Sequence, residues 1–308
     1  MLRWPWRSRS IARADGKRQR YTPPMRQAPS QSFHAVYEPS ILDALREAVE
    51  HGFDGVQLAM DAPHLGFEAL DLAQRRQIAS FRERHGLRIA LHAPDDMASL
   101  YEHRRTFRSG IFAYFGELLQ FADDIGARII TVHPGRATTY PTDEQPRTRI
   151  CPLDLEAYRQ TFAENLARLI DLVGGRFVLC MENLAMDDMV RSIIGPHLSA
   201  GSLFLCWDLP KTYNKMVLDE PLETFLWQHL PSIRQVHLHD ADAQYTHRAV
   251  GTGGIDFGRY LPRLLMAGVI DFCHEVRPLE RALVSRRNFQ RLIAEQSPAG
   301  DNMNPGQP

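Results

Sequence analysis

Short apolar runs and longer amphipathic stretches alternate eight times along this chain. The runs predict strands at Ser32–Tyr37, Gly55–Met60, Leu87–His92, Arg128–His133, Arg176–Glu182, Leu203–Asp208, Ile233–His239 and Ile270–Glu275. The amphipathic stretches predict helices at Ile41–His51, Leu72–His85, Glu102–Ile125, Leu155–Val173, Leu222–Leu230, Tyr260–Ala267 and Arg281–Glu295. In the fourth of these, Tyr158, Phe162, Leu166, Leu169 and Ile170 share one apolar face. His51-Gly52 and His85-Gly86 read as helix stops: an imidazole near the negative end of the dipole, then a glycine free to turn left-handed. Thr138–Cys151 and Met186–Ser202 read as loops that shape a pocket.

Eight such repeats in one continuous stretch predict an α/β fold of the closed (β/α)8, or TIM-barrel, type. An open doubly wound sheet is the alternative, but no GxGxxG follows the first strand. The chain has 308 residues, 44% of them hydrophobic, which is enough for one large core. The expected organisation is a basic arm over residues 1–31, a barrel over 32–296 and a Pro/Gly/Asn-rich tail over 297–308. Residues 1–24 hold seven Lys/Arg against one acid; with an overall charge of -1, the remainder carries -7. An acidic body disfavours nucleic acid, whose binding needs Lys and Arg to displace counterions. No apolar run is long enough to span a membrane. The four cysteines form no CxxC and demand no disulfide, which fits a reducing cytoplasm.

Barrel enzymes carry their chemistry at the C-terminal ends of the strands. Six of the eight predicted strands finish in a residue that binds divalent cations: His92, His133, Glu182, Asp208, His237 and Glu275. The second strand offers only Gln57 and Asp61. One histidine at a strand end is ordinarily a satisfied polar residue. Six ligand types converging on one rim are different, because three carboxylates there repel one another unless cations neutralise them. Imidazoles and carboxylates suit Zn, Mn or Fe. Strand alternation places Cys180, Cys206 and Cys273 beneath these residues as small core side chains, turns His274 outward, and puts His239 on the same face as His237, where it is expected to orient that ring.

The segments LRIALHAP, ITVHPG, LCMENL, FLCWDL, VHLHD with the later His247 and GTGGIDF, and CHEVRP resemble the xylose isomerase-like TIM-barrel superfamily over about residues 32–296. That superfamily includes sugar phosphate isomerases and epimerases and the endonuclease IV-like phosphodiesterases; its cobamide-remodelling phosphodiesterase branch is also similar. The epimerase pattern implies one metal held by Glu182, Asp208, His237 and Glu275, with both glutamates moving protons. The endonuclease IV pattern implies a further metal on His92 and His133, bridged by Glu182. For its third metal the chain departs: Lys211 stands where a histidine is expected and Tyr245 where an aspartate is expected, leaving His247.

The expectation placed first is hydrolysis of a small-molecule phosphoester at a two-metal centre, with Lys211, His247, His239 and Arg277 holding or protonating the leaving group. The alternative is single-metal sugar isomerisation or epimerisation, with Glu182 and Glu275 as base and acid. A third reading is a barrel that binds without catalysing.

Overall fold

The computed structural model describes residues 29–95, 98–142 and 145–296. The basic arm expected before residue 29 and the tail from residue 297 lie outside the described residues. Eight parallel strands close into a barrel in the spatial order first, eighth, seventh, sixth, fifth, fourth, third, second. They are Gln31–Ala35, Gly55–Ala59, Arg88–His92, Ile129–Val132, Val178–Glu182, Phe204–Asp208, Ile233–Leu238 and Asp271–His274. This is the (β/α)8 barrel that the alternation predicts.

Local chemistry sets the helix boundaries. Gly52 and Gly86 both adopt the left-handed conformation, at φ of 70° and 65°, and terminate helices Ile41–His51 and Leu72–His85. The third helix starts at Arg105 rather than Glu102, because the Glu102 carboxylate accepts the Arg104 backbone N–H at 2.7 Å instead of joining the helix. The helices expected at Leu222–Leu230 and Tyr260–Ala267 start earlier, at Glu220 and Phe257, because Asp219 and Asp256 cap the N–H groups of Leu222 and Arg259.

The segment after the fifth strand corrects the sequence reading. Met186–Ser202 is not a loop; it carries a helix over Asp188–Ala200. Gly195 and Pro196 hide it, since both disfavour a helix interior. Two features outweigh them: Asp187 caps Val190 N–H at 2.9 Å, and Val190, Ile194 and Leu198 bury one stripe against the barrel. Thr138–Cys151 also holds structure, a two-stranded ribbon of Tyr140–Thr142 and Gln145–Arg149.

Most of the core lies between the sheet and its helices. A smaller cluster of Ala90, Ile129, Cys180 and Cys206 fills the barrel interior. Beside it, in register with Ala90, Cys180 and Cys206, runs a polar network. Gln57 Nε2 donates to Thr131 Oγ1 and to Gln235 Oε1, both at 3.2 Å. Gln235 Nε2 donates to Asp271 Oδ2 at 2.9 Å, and Ser32 Oγ donates to the same oxygen at 2.8 Å. Gln57 therefore works inside this network, which ties the first, second, fourth, seventh and eighth strands together below the rim. His274 faces outward as expected, held between Ser285 Oγ at 3.0 Å and Gln31 Oε1 at 3.2 Å.

Candidate active site

The site begins at Glu182, the last residue of the fifth strand, which is fully buried. Its Oε2 is the meeting point of three imidazoles: His92 Nε2 and His133 Nε2 at 3.2 Å, and His237 Nδ1 at 3.1 Å. The parallel register sets His237 beside Asp208 on the neighbouring strand. His237 Nδ1 also lies 3.2 Å from Glu275 Oε2, so two carboxylates flank one ring nitrogen. His133 and Glu275 each fall one residue beyond the strand they were assigned to, yet their side chains reach the same centre.

On its other oxygen Glu182 meets the ammonium of Lys211, which also lies 3.0 Å from Asp208 Oδ2. His239 Nε2 approaches that Asp208 oxygen at 3.1 Å. The partner of His239 is therefore Asp208, not His237 as expected: the strand has ended at Leu238 and the ring swings to the neighbouring strand. His247 stacks on His239 with ring centroids 4.3 Å apart and points Nε2 at Glu275 Oε1, 3.5 Å away. Arg277 approaches the same Glu275 oxygen at 3.2 Å. Tyr245 is 65% exposed on the loop and stands away from this cluster.

Burial works against ionising Glu182, yet Lys211, His237 and His133 outweigh it and hold the carboxyl well below the usual range. For Glu275, burial is likewise outweighed by His237, with His247 and His34 adding to the effect. Burial opposes the Lys211 cation, but Asp208, Glu182 and Glu275 push its pKa well above the ordinary lysine value. These residues are thus charged at neutral pH.

Three side chains escape the sequence reading. His34, on the first strand, is 5% exposed, and its Nδ1 lies 3.5 Å from Glu275 Oε1. Its signal was the alternation of that strand, obscured because the strand ends at Ala35 rather than Tyr37. Asp95 sits between His92 Nδ1 at 3.4 Å and His133 Nδ1 at 3.3 Å, from a loop that no periodicity marks. Asn183 locks adjacent strand ends together: it donates to Asp208 O at 3.0 Å and accepts Asp208 N–H at 2.7 Å.

The loop that delivers His247 is built on Asp240. This buried carboxylate accepts N–H groups from Ala241, Gly253 and Ile255 at 2.9, 2.8 and 3.0 Å. A Cβ on Gly253 would lie 2.3 Å from Ala241 O and 2.4 Å from Asp240 Oδ1, so only glycine fits there. The glycine-rich stretch is thus a structural clasp that aims a histidine at the site.

The residues present fit a divalent cation. His237 Nδ1 and Nε2, His133 Nε2 and Glu275 Oε2 are all buried, and the close approaches among them are not aligned as hydrogen bonds, an arrangement costly in a dry interior unless something else engages them. Asp208, His237 and Glu275 bring ligand atoms within 4.8 Å of one another, and so do His92, Glu182 and His237, and His92, Asp95 and His133. Nitrogen and carboxylate oxygen are the donor set of Zn, Mn and Fe.

The sequence profile of the xylose isomerase-like TIM barrel family matches residues 45–292, and the chain belongs to that family of enzymes. Its fold is similar to that of a D-tagatose 3-epimerase-like protein (TM-score 0.69, 16% identity, covering 86% of this chain and 97% of that one). It is also similar to the IOLI protein with a bound zinc atom (TM-score 0.63, 15% identity, 86% and 98% covered). Endonuclease IV from Thermus thermophilus is comparable, with a TM-score of 0.62, 20% identity, and 87% and 100% covered. No curated protein matches the sequence. Among the described residues no helix is long and apolar enough to cross a membrane.

Proposed function

We propose that this enzyme isomerises or epimerises a small sugar or sugar derivative with one divalent cation, held by Glu182, Asp208, His237 and Glu275. This reverses the order of the two expectations. The observation that carries it is the pair of glutamates on either side of His237 Nδ1, at 3.1 and 3.2 Å, each with an oxygen turned toward one centre. The D-tagatose 3-epimerase-like neighbour adds support through the fold.

The chemistry is proton transfer at the carbon next to a carbonyl. When bound, the cation would polarise the substrate's carbonyl and hydroxyl oxygens and so acidify that carbon. Glu182 and Glu275 are both ionised in the cation-free site and come from different strands. One carboxylate takes the proton from one face of the carbon; the other, which must first take up a proton from solvent, gives that proton to the opposite face, and the first then releases its own to solvent. His92 and His133, buried at the edge of the cluster, hold substrate hydroxyls. Ala93 O at 3.0 Å from His92 Nδ1, with Asp95 close to the Nδ1 atoms of both rings, leaves Nε2 of each ring facing the centre. Arg277 and His247, on the outer oxygen of Glu275, steady that carboxylate from the loop side.

The test is deuterium wash-in. Protein loaded with Mn or Zn is incubated in D2O with a panel of ketoses and ketose phosphates. Exchange at the carbon beside the carbonyl, lost in both Glu182→Gln and Glu275→Gln, is the expected result. Rapid hydrolysis of phosphoesters with no exchange would reverse the assignment. That second reading has one observation behind it: His92, His133 and Asp95 form a further group of ligand types beside Glu182.

A further inference from the structure

We propose that His239 is a positioning residue with two ends. It ties the Asp208 carboxylate to the backbone of the loop that carries His247, so that filling the metal site and closing that loop favour each other. The link rests on the reading above of Asp208 and Glu275 as ligands of the cation.

Both ring nitrogens of His239 are committed. Nδ1 accepts the backbone N–H of His247 at 3.1 Å. A nitrogen that accepts carries no proton, so the proton of the ring is on Nε2. Nε2 therefore donates to Asp208 Oδ2, 3.1 Å away. Asp240 O stands 3.4 Å from Nδ1, beyond the range of a good bond, and does not reverse this assignment. The ring is 1% exposed, so water is no ready substitute for either partner. His239, His247 and Glu275 do bring ligand atoms within 4.8 Å of one another. With an accepted bond on one nitrogen and a proton on the other, however, His239 has no lone pair left for an ion.

The far end of the link is strained. His247 sits at a φ of 56°, a left-handed backbone that a residue with a Cβ adopts at a cost. Three contacts hold it there: the N–H bond to His239, the stacking of the two rings at 4.3 Å with their planes 14° apart, and Thr246 Oγ1 at 2.8 Å from His247 Nδ1. His239 supplies two of the three. In that position His247 Nε2 faces Glu275 Oε1 at 3.5 Å. A continuous bracket thus runs from Asp208 through His239 and His247 to Glu275. Lys211 reaches the same Asp208 oxygen at 3.0 Å, but from the turn directly after the sixth strand, so it brings no part of the seventh loop into the link.

The link acts through Asp208. A hydrogen bond to a ligating carboxylate fixes its orientation before an ion arrives, and losing such a bond ordinarily lowers metal affinity about 10- to 100-fold. The ring that makes this bond is itself held by the loop. A closed loop therefore raises metal affinity, and by linkage a bound ion steadies the loop by the same factor.

The test cuts the link at one end at a time. His239→Asn keeps an acceptor near the place of Nδ1 and loses the donor to Asp208; His239→Gln keeps a donor near the place of Nε2 and loses the acceptor for His247 N–H. Metal-free wild type and both variants are titrated with zinc against a chromophoric chelator, and hydrogen exchange of residues 240–257 is followed without zinc and at saturating zinc. In wild type, zinc should slow exchange of this segment about tenfold or more. His239→Asn should keep the slow exchange of the metal-free loop, bind zinc about 10- to 100-fold more weakly, and lose the slowing by zinc. His239→Gln should exchange faster than wild type without zinc and lose the slowing too. Wild-type exchange that zinc leaves unchanged overturns the proposal, and that result needs no variant to fold. So does a His239→Asn variant with wild-type affinity, or one that holds one zinc fewer per chain than wild type, which would make His239 a ligand. Asp208→Asn separates this link from the reading beneath it. Undiminished zinc binding in Asp208→Asn removes Asp208 as a ligand and the link with it; weak binding there with normal binding in His239→Asn removes the link alone. If no sugar exchanges deuterium in the assay above, the sugar reading falls and these expectations stand unchanged.

Discussion

Removing the Asp240 carboxylate should loosen the seventh βα loop while leaving the barrel closed. Asp240 is fully buried and accepts three backbone N–H groups, from Ala241, Gly253 and Ile255. In Asp240→Ala all three donors lose a charged acceptor. A buried donor left unsatisfied costs about 1–3 kcal/mol, so the three sum to about 3–9 kcal/mol, and water entering the space brings the cost to the lower end. For a domain of this size that corresponds to a melting temperature lower by roughly 10 °C. Asp240→Asn separates charge from shape. Oδ1 already serves two of the donors, Ala241 and Ile255, so the amide oxygen retains both, while the amide nitrogen meets Gly253 N–H donor to donor. It should cost about 1–2 kcal/mol. Urea denaturation of the metal-free protein measures both variants. An Asp240→Ala variant within about 1 kcal/mol of wild type would refute the clasp and with it the account of how His247 reaches Glu275.

His34→Leu should stabilise the metal-free protein by about 1 kcal/mol, since both ring nitrogens are buried without hydrogen-bond partners, and should lower turnover of any sugar found by the exchange assay; unchanged stability and turnover together would remove His34 from the site. His274 is held neutral by burial, its pKa pushed down to about 3, while the unfolded residue titrates near 6.5. Its folded value is the lower one, so its contribution is complete above about pH 6.5 and is lost as pH falls toward 3, at about 1.4 kcal/mol per pH unit. His274→Gln should flatten that slope in thermal melts, and an unaltered slope would sink the argument. Cys180, Cys206 and Cys273 are buried free thiols, and burial pushes the Cys206 thiol up to about 12. A thiol reagent should therefore modify only Cys151 in the native protein and all four cysteines in denaturant.

The alternation of apolar runs with amphipathic stretches, and the ligand types at six strand ends, depend on neighbours along the chain, so the barrel and the line of residues around its mouth are written in the sequence. The glycine stops after His51 and His85 are local too, since a left-handed residue needs nothing but its own missing Cβ. The helix at Asp188–Ala200 is different: Gly195 and Pro196 oppose it locally, and only burial of Val190, Ile194 and Leu198 against the barrel secures it. His34 and Asp95 join the site through space, from a strand whose end was misjudged and from a loop without period. Asp240 looks like one more ligand beside His239 until the loop folds back and presents it with three N–H groups. Lys211 shows the limit most clearly. Its position in the sequence leaves it as readily a surface lysine as a site residue, because a charge takes its role from the charges facing it, and Glu182 and Asp208 reach it from two separate strands. The order of residues along the chain carries the fold and the kinds of atoms at its rim. The closing of the barrel settles which of those atoms share a proton, a metal or a lysine, because those contacts join residues far apart along the chain.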